Sequence, residues 1–207
     1  MKRYHDLQAE KLYVRGRPHP WTTSNNHSPG QYYDLRTHPE LIRTALEDFR
    51  PWEKFPAIDV FYKMLEWLNG PDSILESSDC MLLPPTVNES PKIANKKQQI
   101  MGRLFFLHRQ LDKNADENVV NSMLEGLHES LELIDPAFEF GCIAYSRFPT
   151  LFTSSGEGRP PYKGHTISLK YWAWGDDDTE AFQNLKRTFE NLHQALRSLS
   201  GQLKMTG

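Results

Sequence analysis

The chain has 207 residues, of which 38% are hydrophobic, 12% aromatic and 25% charged. That supply of apolar side chains is enough to close a core, which excludes a globally disordered chain. A net charge of −3 and a pI near 6.2 exclude strong general attraction to nucleic acid or to an anionic membrane, and no stretch approaches the ~20 apolar residues that span a bilayer.

Residues 1–36 are irregular, with "KLYV" (11–14) and "QYYDL" (31–35) as short strands around a run of turn formers. Six basic side chains against three acidic ones give this segment a balance of +3 and leave −6 for the rest. The opening "MKRYHDLQAEKLYVRGRPHP" holds no apolar run, so a chain without a secretory leader is expected, cytoplasmic and with reduced thiols.

A first helix is expected from "THPEL", where Thr37 and Glu40 have capping-box spacing and Pro39 suits a first turn. A second follows Pro56, with Ile58, Phe61, Leu65 and Leu68 on one face and "NGP" as its stop. Residues 69–90 show no sustained period and read as a long packed-down connection with a short edge strand in "CMLLPPTV". Ser90-Pro91 opens an expected third helix carrying Ile93, Ile100, Met101, Leu104, Leu107 and Leu111. A fourth carries Val120, Met123, Leu124, Leu127, Leu131 and Ile134, stops before Pro136, and would pair with the third as an antiparallel hairpin. "AFEFGCIAYSRF" (137–148) and "HTISLKYWAWG" (165–175) alternate as strands and suit a β-hairpin around a long turn-rich loop. Asp177 and Glu180 then have capping-box spacing before Phe182, Leu185, Phe189, Leu192, Leu196 and Leu199, with Gly201 as the expected stop.

These elements make an α+β chain: about four helices packed on a small antiparallel sheet that ends in a β-hairpin and a long terminal helix. It reads as one domain over 1–207, with an irregular segment at 1–36, a helical part at 37–135, and the hairpin with its helix at 136–207.

Catalytic and metal signatures are missing from the sequence. The eight histidines form no HxxxH, HxH or HExxH pair. His108 and His128 would face each other across the expected helical hairpin as hydrogen-bonded boundary residues. Cys80 has no local activator, and Cys142 alternates with core positions. The loop "SSGEGRPPYKG" leads into a strand, which is wrong for a phosphate cradle. Three consecutive acids at Asp176–Asp178 suit the positive end of a helix better than a metal. No catalytic residue, metal site or cofactor is therefore assigned.

What stands out is aromatic surplus. Trp172 and Trp174 lie on the strand face opposite Tyr171, so both faces of that strand need cover. Trp67 falls out of phase with its helix's apolar face, either beneath the 69–90 connection or exposed as an anchor. Arg159, Tyr162 and Lys163 sit near the tip of the loop before the strand, and Asp176 lies just beyond it. These seven residues are the expected partner-binding set, an aromatic centre with charged surroundings. The expected function is protein binding by an inhibitor, an immunity-type protein or an adaptor. The alternatives are an enzyme, hydrolase or transferase, with a dispersed active site, and nucleic-acid binding through the basic N-terminal segment. The partner is expected to be a protein, not a membrane or a nucleic acid, and the sequence leaves homo-oligomerisation open.

Overall fold

A computed structural model describes residues 1–5, 17–19, 33–89, 94–153 and 160–206. In chain order its elements are strands β1 (Lys2–His5) and β2 (Arg17–His19), helix α1 (Pro56–Asn69), strands β3 (Leu75–Leu82), β4 (Thr86–Val87) and β5 (Gln98–His108), helix α2 (Glu117–Leu133), strands β6 (Gly141–Phe152) and β7 (Tyr162–Gly175), and helix α3 (Asp178–Thr206). The fold is α+β. Four strands are antiparallel neighbours in the order β3-β5-β7-β6. β1 and β2 run parallel to β6 on its outer edge, and β4 pairs with the start of β5.

The three helices bury their apolar stripes with one face of this sheet. Ile100, Leu104 and Phe106 of β5, Ile143 and Tyr145 of β6, and Ile167, Leu169, Tyr171 and Ala173 of β7 supply the sheet side of the core. These positions pair with one another in register: Ile100 with Ala173, Leu104 with Leu169, Ile143 with Tyr171. At its centre Phe61 of α1, Phe189 of α3 and Tyr171 meet with ring centroids 4.8–6.2 Å apart, within the range of favourable tilted and edge contacts.

Local signals set several elements as expected. α1 begins at Pro56 and buries Ile58, Phe61, Leu65 and Leu68. α2 is capped by Asp116, whose side chain accepts from the Asn118 amide, and it ends at Leu133, before Pro136, with Asp135 beyond it at φ 51°. Asp177 caps α3, its Oδ1 accepting from the Glu180 amide at 2.9 Å, while Glu180 reaches back to the Asp176 amide. β6 and β7 form the expected hairpin, and their pairing extends to Phe152 and Tyr162, so strand replaces much of the expected loop.

Other expectations are corrected. The third helix is not formed over the described residues: Gln98–His108 is the inner strand β5, between β7 and β3, so the helical hairpin with the following segment is absent. Ile100, Leu104 and Leu107 do fall at helical spacing. A strand buried on both faces also reads as a continuous apolar run, and periodicity does not separate the two. The start assigned at Ser90-Pro91 lies outside the described residues. The connection at 69–90 contains the eight-residue strand β3. "THPEL" forms a 3₁₀ turn, Pro39–Arg43, without a side-chain cap. The nearby organiser is Asp34, whose carboxylate accepts from the Arg36 and Thr37 amides and the Thr37 hydroxyl. α3 runs through Gly201 to Thr206. "KLYV" lies outside the described residues, and the described part of "QYYDL" is irregular chain that enters a turn at Leu35, not a strand.

Candidate functional site

In an antiparallel sheet, directly paired residues share a face, and the faces alternate along each strand. Trp172 pairs with Met101 on one side and Cys142 on the other, and the Leu83 amide donates to the Met101 carbonyl. Leu83, Met101, Trp172 and Cys142 therefore form one row on the face opposite the helical core. The next row holds Met81, Arg103, Lys170 and Ala144. Farther along β5 and β6 this face is buried, with Phe105 and Phe148 meeting edge to face at 5.0 Å. Toward β3 it stays open: Met81, Met101 and Trp172 are half-buried, and Leu83 is 36% exposed. Arg103 lies half-buried beside this patch, paired with Asp79 at 3.2 Å, and Lys170 is exposed.

The expected partner-binding residues do not converge. β7 is long, and Tyr162 and Trp172 lie about 33 Å apart along it. Tyr162 is half-buried and stacks on Phe152 at 5.5 Å, beside exposed Lys163. Trp174 is buried at 3% exposure, which removes it as a surface anchor. Asp176 is exposed but engaged by Lys96 at 2.8 Å, a hydrogen bond that holds its carboxyl below the usual range. Trp67 lies half-buried on the helical side, against the core and 5.4 Å from the ring of His193. Arg159 lies outside the described residues. Of the six that are described, Trp172 alone stands in the open patch. The signal for Met81, Leu83 and Met101 was a strand period in segments read as a connection and a helix.

A second feature lies at the other end of β5. A cleft of about 570 Å³ opens between the turn after α1 (Pro71, Ser73, Ile74), the end of β5 and its following turn (His108, Arg109, Gln110, Lys113), the start of α2 (Asn118, Val119, Ser122) and the end of α3 (Leu203, Lys204). Its walls are held by specific bonds. Buried Asn114 accepts from the His108 amide and donates to the His108 and Leu111 carbonyls, which pins the turn bearing Lys113. Arg109 Nη2 donates to the carbonyls of Leu68, Gly70 and Leu75, joining the end of α1 to β3 and β5. Lys204 donates to the Asp72 carbonyl oxygen at 2.5 Å. His108 Nδ1 lies 3.0 Å from the Gln110 amide nitrogen and 3.3 Å from the Gln110 carbonyl oxygen, which ties the ring to the turn after β5. Burial pushes the His108 pKa down, so the ring is neutral at pH 7.

His108 and His128 do not face each other. His108 ends β5, and His128 of α2 bonds the Tyr145 hydroxyl at 2.5 Å. Cys142 is buried as expected. Cys80 lies in β3, not in a loop, and burial pushes its thiol pKa up, away from the thiolate a nucleophile needs. Among the described residues, no three His, Cys, Asp or Glu side chains gather as metal ligands, and no helix is long and apolar enough to cross a membrane. The chain matches no protein-family model, no curated protein and no solved structure.

Proposed function

We propose that the chain is a protein-binding module, in the manner of an inhibitor, an immunity-type protein or an adaptor, and that it docks its partner on the open part of the sheet face turned away from α1–α3. The observation that carries this reading is the row Leu83, Met101 and Trp172, left half open in a sheet whose opposite face is sealed. Methionine is adaptable at binding surfaces and tryptophan is enriched at interface hot spots. The Arg103–Asp79 pair and Lys170 border the row in the adjoining register, so the matching partner surface has an apolar centre with charged groups at its rim.

The test begins with capture from native lysate and mass spectrometry, followed by binding of the purified partner. Leu83→Asp and Lys170→Glu should weaken the complex, the first by tenfold or more, with little change in melting temperature. Tyr162→Ala, at the far end of β7, should leave affinity unchanged. Hydrogen exchange should slow on binding over 79–83, 99–103 and 170–174. Wild-type affinity in both patch variants, with protection on another surface, would falsify the assignment.

A further inference from the structure

The cleft at the end of β5 has the chemistry of an anion receptor, and its case does not depend on the sheet face. Arg109, Lys113 and Lys204 line it, and none of its lining residues is a carboxylate. The acids that flank its lining residues in the chain, Asp72, Asp112 and Glu117, are exposed and lie outside its lining, and Glu76 acts on Arg109 from outside the lining as well. The Lys204 ammonium is bonded to a backbone carbonyl, not to a carboxylate, so its charge is not cancelled. Arg109 has its Nη2 committed to carbonyls and its buried Nε without an acceptor among the described residues, so it contributes fixed charge behind the cleft wall more than reach. Direct contact falls to the two lysines, compact charges on flexible stems.

One fixed positive charge and two on flexible stems call for a ligand with more than one negative charge. The remaining lining is mixed. Ser122 and Asn118 are exposed polar groups on the first turns of α2, while Ile74, Val119 and Leu203 offer a half-buried apolar wall. A bare inorganic anion would leave that wall wet, and a purely apolar ligand would leave the lysines unmatched. The volume falls in the range of small-molecule sites, which run from about 300 to 1,000 Å³.

We propose that this cleft binds a small organic phosphate, its phosphoryl group held by Lys113 and Lys204 and its carbon body against Ile74, Val119 and Leu203. The lysine turn is pre-set by Asn114, so little ordering is needed on binding.

Titration of the full chain with phenyl phosphate, followed by backbone amide shifts, tests the assignment. Inorganic phosphate, benzoate and benzyl alcohol are titrated in parallel. Phenyl phosphate should shift amides in 73–74, 108–113 and 118–122 and saturate at a concentration at least tenfold below that of the other three. Lys113→Gln and Lys204→Gln should each weaken it by about three- to tenfold, with the rest of the spectrum unchanged. Inorganic phosphate binding equally well would reduce the cleft to a patch of attractive charge and overturn the proposal. Benzoate binding equally well would overturn the phosphate assignment. Wild-type affinity in both lysine variants, or shifts centred outside the cleft, would remove the site altogether.

Discussion

His193 shows how burial sets the behaviour of a single side chain. It sits half-buried on α3 beside Trp67, and its Nε2 is buried with no acceptor among the described residues. Burial, with the positive charge of Arg197 second, lowers its pKa below the ordinary value of 6.5. In the window between the lowered folded value and 6.5 the unfolded chain binds more protons than the folded one, so stability rises with pH there. As pH falls below 6.5 that stability is lost. His108 is shifted in the same direction, also chiefly by burial. Urea denaturation should therefore give lower stability at pH 5 than at pH 7.5. His193→Gln should flatten part of that slope, and an unchanged slope would count against a buried neutral imidazole.

At the scale of elements, two glycines make opposite predictions. Gly102 lies where β5 passes closest to its neighbours. A Cβ there would meet the Met81 carbonyl oxygen at 2.2 Å and the Tyr171 hydroxyl at 2.4 Å, the two groups that bond each other at 2.7 Å across the strand. Gly102→Ala should break that bond and lower stability by about 1–3 kcal/mol in denaturant titration. Gly201 lies inside α3 with open space around it. Gly201→Ala should raise stability by about 0.5–1 kcal/mol, because alanine restricts the unfolded chain and fits the helix without contact. Gly201 after the 3–4 spaced stripe predicts a helix end there. A glycine stops a helix when the chain turns into the left-handed region after it, and here Leu203 continues the stripe against the core instead.

Across the whole molecule, α3 is the element that ties the layers together. Phe189 meets Phe61 of α1 and Tyr171 of β7, and Phe182 stacks on Phe55 at 3.9 Å. Phe189→Ala should cost about 3–5 kcal/mol, since its ring is fully buried and neighbours on two other elements lose their contact. Denaturant titration with an unchanged slope would confirm a loss of stability without a change in the surface exposed. The same layering separates the two candidate surfaces. The Leu83–Met101–Trp172 row and the cationic cleft lie toward opposite ends of β5, so variants in one should leave binding at the other intact.

Elements that announce themselves over a few neighbouring residues were legible in the sequence. Pro56 and its 3–4 spaced apolar face placed α1, Asp177 and Glu180 placed the start of α3, and alternation around Tyr171 placed β7 and separated its core face from the Trp172 face. These signals are local because capping, proline geometry and side-chain period act within one or two turns or a few strand residues. The tertiary structure decided the rest. Gln98–His108 is a strand because β3 and β7 satisfy its backbone on both edges and the helices cover the face that carries Ile100, Leu104 and Phe106, which no property of the segment alone dictates. It also decided which aromatics are covered: Trp174 is buried and Trp172 is half open on the same face of β7. The cleft was invisible for a related reason. Arg109 and Lys113 lie close together after β5, but Lys204 comes from the far end of α3, and the three converge in space only once the fold brings those ends together.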